Sequence, residues 1–300
     1  MSLRVWIWLV SLSVLWGGSF FFAKVAVAEL RPLTVVFGRV ALAAFALNLW
    51  LGLTGQSLFR RETPWAAFMF MGLLNNLIPF GLIFWGQTHI ASGLASILNA
   101  TTPLFTLVVA HVTTRDERIN GAKVAALLTG FTGVVFLLGP DLLLGDRSGL
   151  GGQLACLAAA LSYAFAGVYG RRFQSMGVAP MQAAAGQVSA SAMLILPIML
   201  LVDRPWTLPA TPSASVWAAL AGLALLSTAL AYALNFRILA ATGVTNLLLV
   251  TFLIPLTAIL LGTVFLEEHL VERHFAGMAL VGASLAVLDG RLVARLRGAK

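Results

Sequence analysis

Residues 180–202 read PMQAAAGQVSASAMLILPIMLLV, a run of 23 residues without a charged side chain. At a rise of about 1.5 Å per residue, such a run is long enough to cross the hydrocarbon core of a bilayer as a helix. It therefore predicts a membrane-spanning helix. The run begins with Pro180, and it carries Gly186 followed by the polar Gln187.

The same pattern occurs in the first half of the chain. Pro32, Gly38 and Arg39 precede their counterparts in residues 180–202 by a constant 148 positions. A second set of matches pairs Gly93 with Gly243 and Pro103 with Pro255, at offsets of 150 and 152. Offsets near half of the 300-residue length predict an internal repeat, with one unit in residues 1–147 and a second in residues 148–300.

The whole chain has the composition of a membrane protein. Hydrophobic residues make up 60% of it and charged residues only 10%, against about 25% charged residues in soluble domains. Strand-like alternation is absent, so we expect an all-α integral membrane protein. Charged and turn residues divide it into ten apolar blocks, at about 5–27, 32–54, 64–87, 90–111, 120–139, 150–170, 180–202, 214–236, 242–265 and 275–292.

The distribution of cations predicts the orientation. With the N-terminus in the cytoplasm, thirteen of the 19 Lys and Arg residues lie on the cytoplasmic side, five lie outside and Arg39 lies within a span. The positive-inside rule therefore favours both termini in the cytoplasm and ten transmembrane helices. A repeat of five helices has an odd number of spans, so its second copy is inverted (5+5). A cleaved signal sequence ending near Ala26-Val27-Ala28 is the alternative for the first block, and it would leave nine spans.

Several of these features together resemble a known family. They are Trp16-Gly17-Gly18-Ser19-Phe20, the Pro32 to Arg39 spacing, the Gly93 to Pro103 helix followed by acids, and the five-plus-five repeat. They resemble the EamA-type ten-helix exporters of the drug/metabolite transporter superfamily, most of all the aromatic amino-acid exporters. The resemblance covers essentially the whole chain. It implies export of amino acids and related small metabolites across a bacterial inner membrane, through a central cavity and by alternating access.

Polar and aromatic side chains within the spans are the candidates for binding substrate. Converging amides among aromatic walls suit a zwitterion with an aromatic or bulky apolar side chain. For each residue alone, interhelical hydrogen bonding or packing is the alternative. The candidates are Trp16, Arg39, Asn75, Asn76, Phe80, Trp85, Asn99, Thr102, Tyr163, Gln187, Tyr232, Asn246 and Phe252.

Two interpretations are open for Arg39 and for the paired prolines. Arg39 either attracts a substrate carboxylate or extends its charge toward the interface while it fixes neighbouring helices. Pro103 and Pro255 each remove a helical hydrogen bond, so they serve either as hinges for alternating access or as static bends.

The remaining residues argue against other classes of protein. All eleven acidic residues lie in connections or at helix ends, which favours facilitated export over carboxylate coupling. A proton-coupled drug or metabolite efflux pump is the alternative, and a passive channel or scramblase is a weaker one. The four histidines and the single Cys156 form no metalloprotease or redox motif. We therefore expect no catalytic residue, metal or cofactor, no nucleic-acid partner, and a monomer or weak homodimer in lipid.

Overall fold

The computed structural model describes residues 2–58, 62–114, 119–139, 147–247 and 249–289. Within these ranges the chain is helical and contains no strand. Eight of the thirteen cations assigned to the cytoplasmic side lie outside them. The ten helices of the described ranges are α1 (Leu3–Val27), α2 (Pro32–Leu53), α3 (Trp65–Gln87), α4 (Ser92–Thr113), α5 (Gly121–Leu138), α6 (Arg147–Ser175), α7 (Pro180–Val202), α8 (Ala214–Gly243), α9 (Leu249–Phe265) and α10 (Glu272–Asp289).

Helices α1 to α8 are long and apolar enough to cross a membrane, and α9 is a shorter apolar helix. Large apolar side chains such as Phe45, Leu201 and Phe265 are exposed on the outside of the bundle. In water such a surface would be unstable, whereas lipid is its natural solvent. The expectation of an all-α integral membrane protein is therefore confirmed.

The boundary between α8 and α9 lies near the predicted one. The ninth block is predicted to begin near residue 242, and the helical backbone is interrupted at Gly243, where α8 ends. Gly243 bends the backbone at this point with a φ of +76°, a conformation that a residue without Cβ adopts at little cost. Asn246 follows this bend, on the side of the ninth predicted block.

Two helices contain π turns that the sequence did not predict. In α3 the turn covers Leu73–Leu77, and in α8 it covers Gly222–Leu230. The Thr228 hydroxyl donates to the Leu223 carbonyl, five residues earlier, at 2.8 Å. Each π turn inserts extra residues into the helix and so rotates the face that follows it. The polar residues of both turns are consequently displaced from the regular helical pattern.

The helices pack in pairs that join the two halves of the chain. Helix α5 lies along α10, α2 packs against α7, α1 against α9, and α4 against α6. Small residues allow these close approaches: a Cβ built on Gly17 would lie 2.6 Å from the Thr257 Cβ and 2.9 Å from the Ile254 carbonyl oxygen. Between α5 and α10, the Ser284 hydroxyl donates to the Ala126 carbonyl at 2.5 Å.

Candidate transport cavity

A central cavity of about 650 Å³ lies between the two halves of the bundle. We call the end of the bundle at which α1 begins the proximal end, and the end at which α1 finishes the distal end. Arg171, at the last turns of α6, is exposed and lines the cavity, so the cavity reaches the surface at the proximal end. Gln87, at the last residue of α3, lines it near the distal end and is fully buried.

Arg39 forms part of the cavity wall about a third of the way along α2 and is only 5% exposed. Its Nε donates to the Thr228 hydroxyl at 2.9 Å and its NH1 to the Ser19 hydroxyl at 2.9 Å. The guanidinium carbon lies 3.8 Å from the centre of the Phe80 ring. These partners are neutral, and within the described residues Arg39 has no carboxylate partner. The cavity wall therefore contains a positive charge that hydrogen bonds to neutral groups keep in place.

Aromatic side chains surround this charge. Phe80 and Phe84 are one turn apart on α3, and their rings are nearly parallel with centres 5.9 Å apart. Trp16, Tyr163 and Phe252 line the cavity from α1, α6 and α9. Such a wall offers large apolar faces on which a ring or a branched aliphatic group can stack.

A hydrogen-bond network joins the π turn of α3 to the second half of the chain. The Asn75 amide donates to the Gln187 side-chain oxygen at 2.9 Å and to the Tyr232 hydroxyl at 3.2 Å. Asn75 and Tyr232 line the cavity, whereas Gln187 lies behind them. This network fixes the side chains of one wall.

Helix α4 is broken beside the cavity. Its first segment ends at Asn99 and its second begins at Thr102. Pro103 has no N–H for the Asn99 carbonyl, and the Thr102 hydroxyl donates to that carbonyl instead, at 2.7 Å. Pro255 in α9 likewise leaves the carbonyl of Thr251 without its helical donor. Asn99 and Thr251 both line the cavity.

Three buried polar atoms of cavity-lining residues have no hydrogen-bond partner: Gln87 Oε1, Asn99 Oδ1 and Ser227 Oγ. The orientation of the Gln87 amide is determined by its environment, because its Nε2 donates to the Phe20 carbonyl at 2.8 Å. A carbonyl accepts only from N–H or O–H groups, so the Gln87 oxygen must point the other way. Unpaired buried acceptors are costly unless something else supplies a donor.

The distal end is held closed by carboxylates that join the two halves. The Glu268 carboxylate accepts from the Ser92 backbone N–H at 2.8 Å and from the Ser92 hydroxyl at 2.7 Å, at the start of α4. The Asp203 carboxylate accepts from the Thr34 backbone N–H at 2.7 Å, near the start of α2. A carboxylate at a helix N-terminus satisfies free N–H groups and complements the helix dipole.

Two further contacts strengthen this closure. The Lys24 ammonium donates to the Gln87 and Ile90 carbonyls at 2.6 and 2.9 Å, at the end of α3. In the loop after α1, Glu29 accepts from the Ser213 hydroxyl and backbone N–H, and these hydrogen bonds lower the pKa of its carboxyl. The cavity is therefore separated from the distal surface by polar contacts.

Most of the predicted site residues surround the cavity. The ones that line it are Trp16, Arg39, Asn75, Phe80, Asn99, Thr102, Pro103, Tyr163, Tyr232 and Phe252. Gln187 supports Asn75 from behind, and Pro255 lies buried within α9.

Besides Gln187 and Pro255, three predicted residues do not line the cavity. Asn76 is turned toward α7, where its amide donates to the Ser191 hydroxyl at 3.0 Å. Trp85 is 44% exposed and lies against the His89 ring. Asn246 donates to the Thr242 carbonyl, four residues earlier, at 2.9 Å. We leave these three out of the proposed site.

Other cavity-lining residues were not among the sequence-based candidates. They include Ser19, Phe84, Gln87, Ser227 and Thr228. Ser19 belongs to the Trp16-Gly17-Gly18-Ser19-Phe20 stretch of α1. Ser227 and Thr228 lie in the π turn of α8, which changes the direction of their side chains toward the cavity. Among the described lining residues there is no Asp or Glu, and the described residues contain no cluster of three metal-ligating side chains.

The chain is similar to known transporters over nearly its full length. The uncharacterized transporter YoaV of Bacillus subtilis is 26% identical over 93% of this chain and 94% of its own. The uncharacterized inner membrane transporter YedA of Escherichia coli is 26% identical over 91% and 86%. A probable amino-acid metabolite efflux pump of Escherichia coli is 24% identical over 91% of each chain.

A crystal structure of another protein has the same fold, with a TM-score of 0.69 over 97% of this chain and 99% of that one, at 21% identity. The profile of the EamA-like transporter family matches this sequence twice, at residues 3–139 and again at residues 150–288. Since the two matches together cover most of the sequence, the chain belongs to the EamA-like transporter family.

Proposed function

We propose that this protein exports amino acids with aromatic or bulky apolar side chains, and related small metabolites, from the cytoplasm by alternating access. It is a membrane transporter of the EamA type, and it is a multi-pass protein of the inner membrane. The substrate class is supported by the relative named a probable amino-acid metabolite efflux pump and by the chemistry of the cavity.

The proposal rests on one observation, which is the position of the buried Arg39 guanidinium in the cavity wall. A guanidinium that is 5% exposed in the wall of a cavity, without a carboxylate partner among the described residues, suits a substrate with a carboxylate. The structure favours this interpretation over a cation that extends to the interface, because Arg39 is held inside by Ser19 and Thr228. The aromatic wall supplies the apolar part of the site.

The proposed architecture is ten transmembrane helices in two inverted units, residues 1–147 and 148–300. The family profile matches each half separately. Helix packing also supports a twofold relation. If α1 corresponds to α6 and each later helix to the one five further on, the contact of α1 with α9 is the counterpart of the contact of α6 with α4. The pairs α2 with α7 and α5 with α10 then map onto themselves.

Alternating access is supported by the unequal ends of the cavity. The proximal end reaches the surface, whereas the distal end is closed by contacts in which Glu268 and Asp203 of the second half cap helices of the first. The positive-inside rule assigns the proximal end to the cytoplasm. In this arrangement the structure is an inward-open state, and Pro103 and Pro255 are the proposed hinges.

We propose that export is facilitated, so that the concentration gradient of the substrate drives transport. Coupled transporters use buried carboxylates as proton or sodium sites, and none is found among the described cavity-lining residues. We expect collapse of the proton gradient to leave the initial rate of amino-acid counterflow unchanged in proteoliposomes. A large loss of counterflow would instead favour the proton-coupled efflux pump.

The substrate class is tested by uptake into proteoliposomes, screened over the twenty amino acids and several cationic drugs. We expect saturable flux of Phe, Trp and Tyr and weak flux of small polar amino acids. Transport of the drugs alone would contradict the proposed substrate. Flux that rises linearly to high concentration would indicate a passive channel.

A further inference from the structure

We infer that the cavity holds the two charged ends of an amino acid at separate places: Arg39 binds the carboxylate, and the side-chain oxygens of Gln87 and Asn99 bind the ammonium group. The inference rests on the proposed function and adds to it a subsite for the ammonium group. Gln87 and Asn99 both line the cavity, and each keeps a buried amide oxygen without a partner.

The cavity wall contains hydrogen-bond donors and acceptors that no protein group uses, and these indicate which groups a ligand must supply. Arg39 uses three of its N–H groups, on Thr228, Ser19 and the Ser227 carbonyl, and an arginine has five. The cavity thus retains donors at Arg39 and acceptors at the two amides. A carboxylate matches the first and an ammonium, with three donors and no acceptor, matches the second.

The residues of α3 relate the position of Arg39 to that of Gln87 along the cavity wall. The Arg39 guanidinium lies 3.8 Å from the centre of the Phe80 ring and 5.8 Å from that of Phe84. Gln87 follows Phe84 by three residues, about 4.5 Å further along the helix toward the distal end. Asn99 approaches from α4 at the break before Pro103.

The absence of charge at the ammonium subsite predicts selectivity for zwitterions. Two amide oxygens offer hydrogen bonds but no negative charge, and the Arg39 guanidinium in the same cavity wall has no carboxylate partner among the described residues. The positive charge of Arg39 would repel an amine that has no carboxylate. A zwitterion, in contrast, places its own carboxylate against Arg39 and so offsets that repulsion. A carboxylate without an amine would bind at Arg39 but leave both amide oxygens unpaired.

The test measures ligand-induced shifts of the unfolding temperature of the solubilised full chain, with three probes of the same shape. Phenylalanine carries both charges, 3-phenylpropionate lacks the ammonium, and 2-phenylethylamine lacks the carboxylate. For the wild type we expect affinity to decrease in that order. If no amino acid binds at all, the proposed function fails.

Two variants, Asn99→Leu and Gln87→Met, remove the acceptor oxygens at similar size. We expect phenylalanine to bind about ten- to a hundredfold more weakly in each variant, as for the loss of a hydrogen bond to a charged group. Binding of 3-phenylpropionate should be unchanged, since this probe does not use the subsite. The ratio of the two affinities is independent of the fraction of protein that is folded.

Asn76→Leu is the matched control, because Asn76 also has a buried, unpartnered amide oxygen but is turned toward α7 and away from the cavity. Its affinity ratio should equal that of the wild type. In Arg39→Lys, we expect phenylalanine to lose affinity toward that of 2-phenylethylamine. Equal losses for phenylalanine and 3-phenylpropionate in the Asn99 and Gln87 variants, or no loss for either probe, would overturn the ammonium subsite.

Discussion

At the scale of single residues, Arg39 shows how a buried charge is held without a counter-ion. Neutral hydroxyls and the Phe80 face surround the guanidinium, and an arginine retains its charge in such surroundings because its pKa in water is so high. Replacement of Arg39 by another residue therefore removes both a charge and the support that Ser19 and Thr228 receive from it.

The aromatic wall makes a prediction for Trp16, which lines the cavity from the middle of α1. We expect Trp16→Ala to reduce amino-acid flux at least tenfold with the protein still folded and inserted, because the substrate loses a large stacking face. The control is Trp6→Ala on the same helix, since Trp6 is 44% exposed on the outside. Initial rates in proteoliposomes check this, and equal rates for wild type and Trp16→Ala would remove Trp16 from the site.

At the scale of helices, the neighbouring glycines of α1 differ in their surroundings. A Cβ on Gly17 would meet Thr257 and the Ile254 carbonyl below 3.0 Å, whereas a Cβ on Gly18 would have its nearest neighbours at 3.8 Å. We expect Gly17→Ala to destabilise the protein by about 1–3 kcal/mol, because α9 must move away. Gly18→Ala should be neutral or slightly stabilising. Unfolding of both variants in detergent measures the difference, and equal stabilities would contradict the close contact of α1 with α9.

The contacts at the distal end lead to a prediction for Glu268. Its carboxylate accepts three hydrogen bonds from Ser92 and a longer one from the Gly93 N–H. Glu268→Gln removes the negative charge from the start of α4, so we expect the distal end to open more often. A cysteine introduced as Ile83→Cys in a Cys156→Ala background reports access to the cavity, since Cys156 is the only native cysteine.

In whole cells, an impermeant thiol reagent should label this cysteine several-fold faster in the Glu268→Gln protein. The matched control is Glu267→Gln, because Glu267 is the exposed neighbour. If Glu268→Gln and Glu267→Gln give the same labelling rate as the parent, Glu268 does not hold the distal end closed.

At the scale of the whole molecule, the proposed inverted repeat predicts that both termini lie on the cytoplasmic side. Two five-helix units give an even number of spans, and the cation count favours the cytoplasm for both ends. Fusions of alkaline phosphatase to either terminus should be inactive, whereas fusions of green fluorescent protein should fluoresce. Termini on opposite faces would contradict the ten-helix arrangement and with it the twofold relation between the halves.

The membrane fold was predictable because it depends on local properties. Apolar runs of about 20 residues, ended by charges, predict spans whatever their neighbours are. The predicted blocks agree with the described helices to within about seven residues at each end, and the bend at Gly243 lies at the predicted start of the ninth block.

The candidate site was predictable only in part, because the direction of a side chain is not a local property. Asn75 and Asn76 are adjacent in the sequence and chemically identical, yet the first lines the cavity and the second bonds to Ser191. The π turn in α3 decides between them. Gln87 was not among the candidates, and its place at the end of α3 does not indicate that its side chain is buried in the cavity wall.

Composition and the lengths of the apolar runs were sufficient to determine that this chain lies in a membrane as a bundle of helices, since lipid requires every span to satisfy its own backbone. Tertiary structure alone decided which polar groups converge. Arg39 meets Thr228 across 189 positions of sequence, and Glu268 meets Ser92 across 176. Contacts of this kind depend on how two halves pack and on where helices break or widen, and helical periodicity contains no information about either.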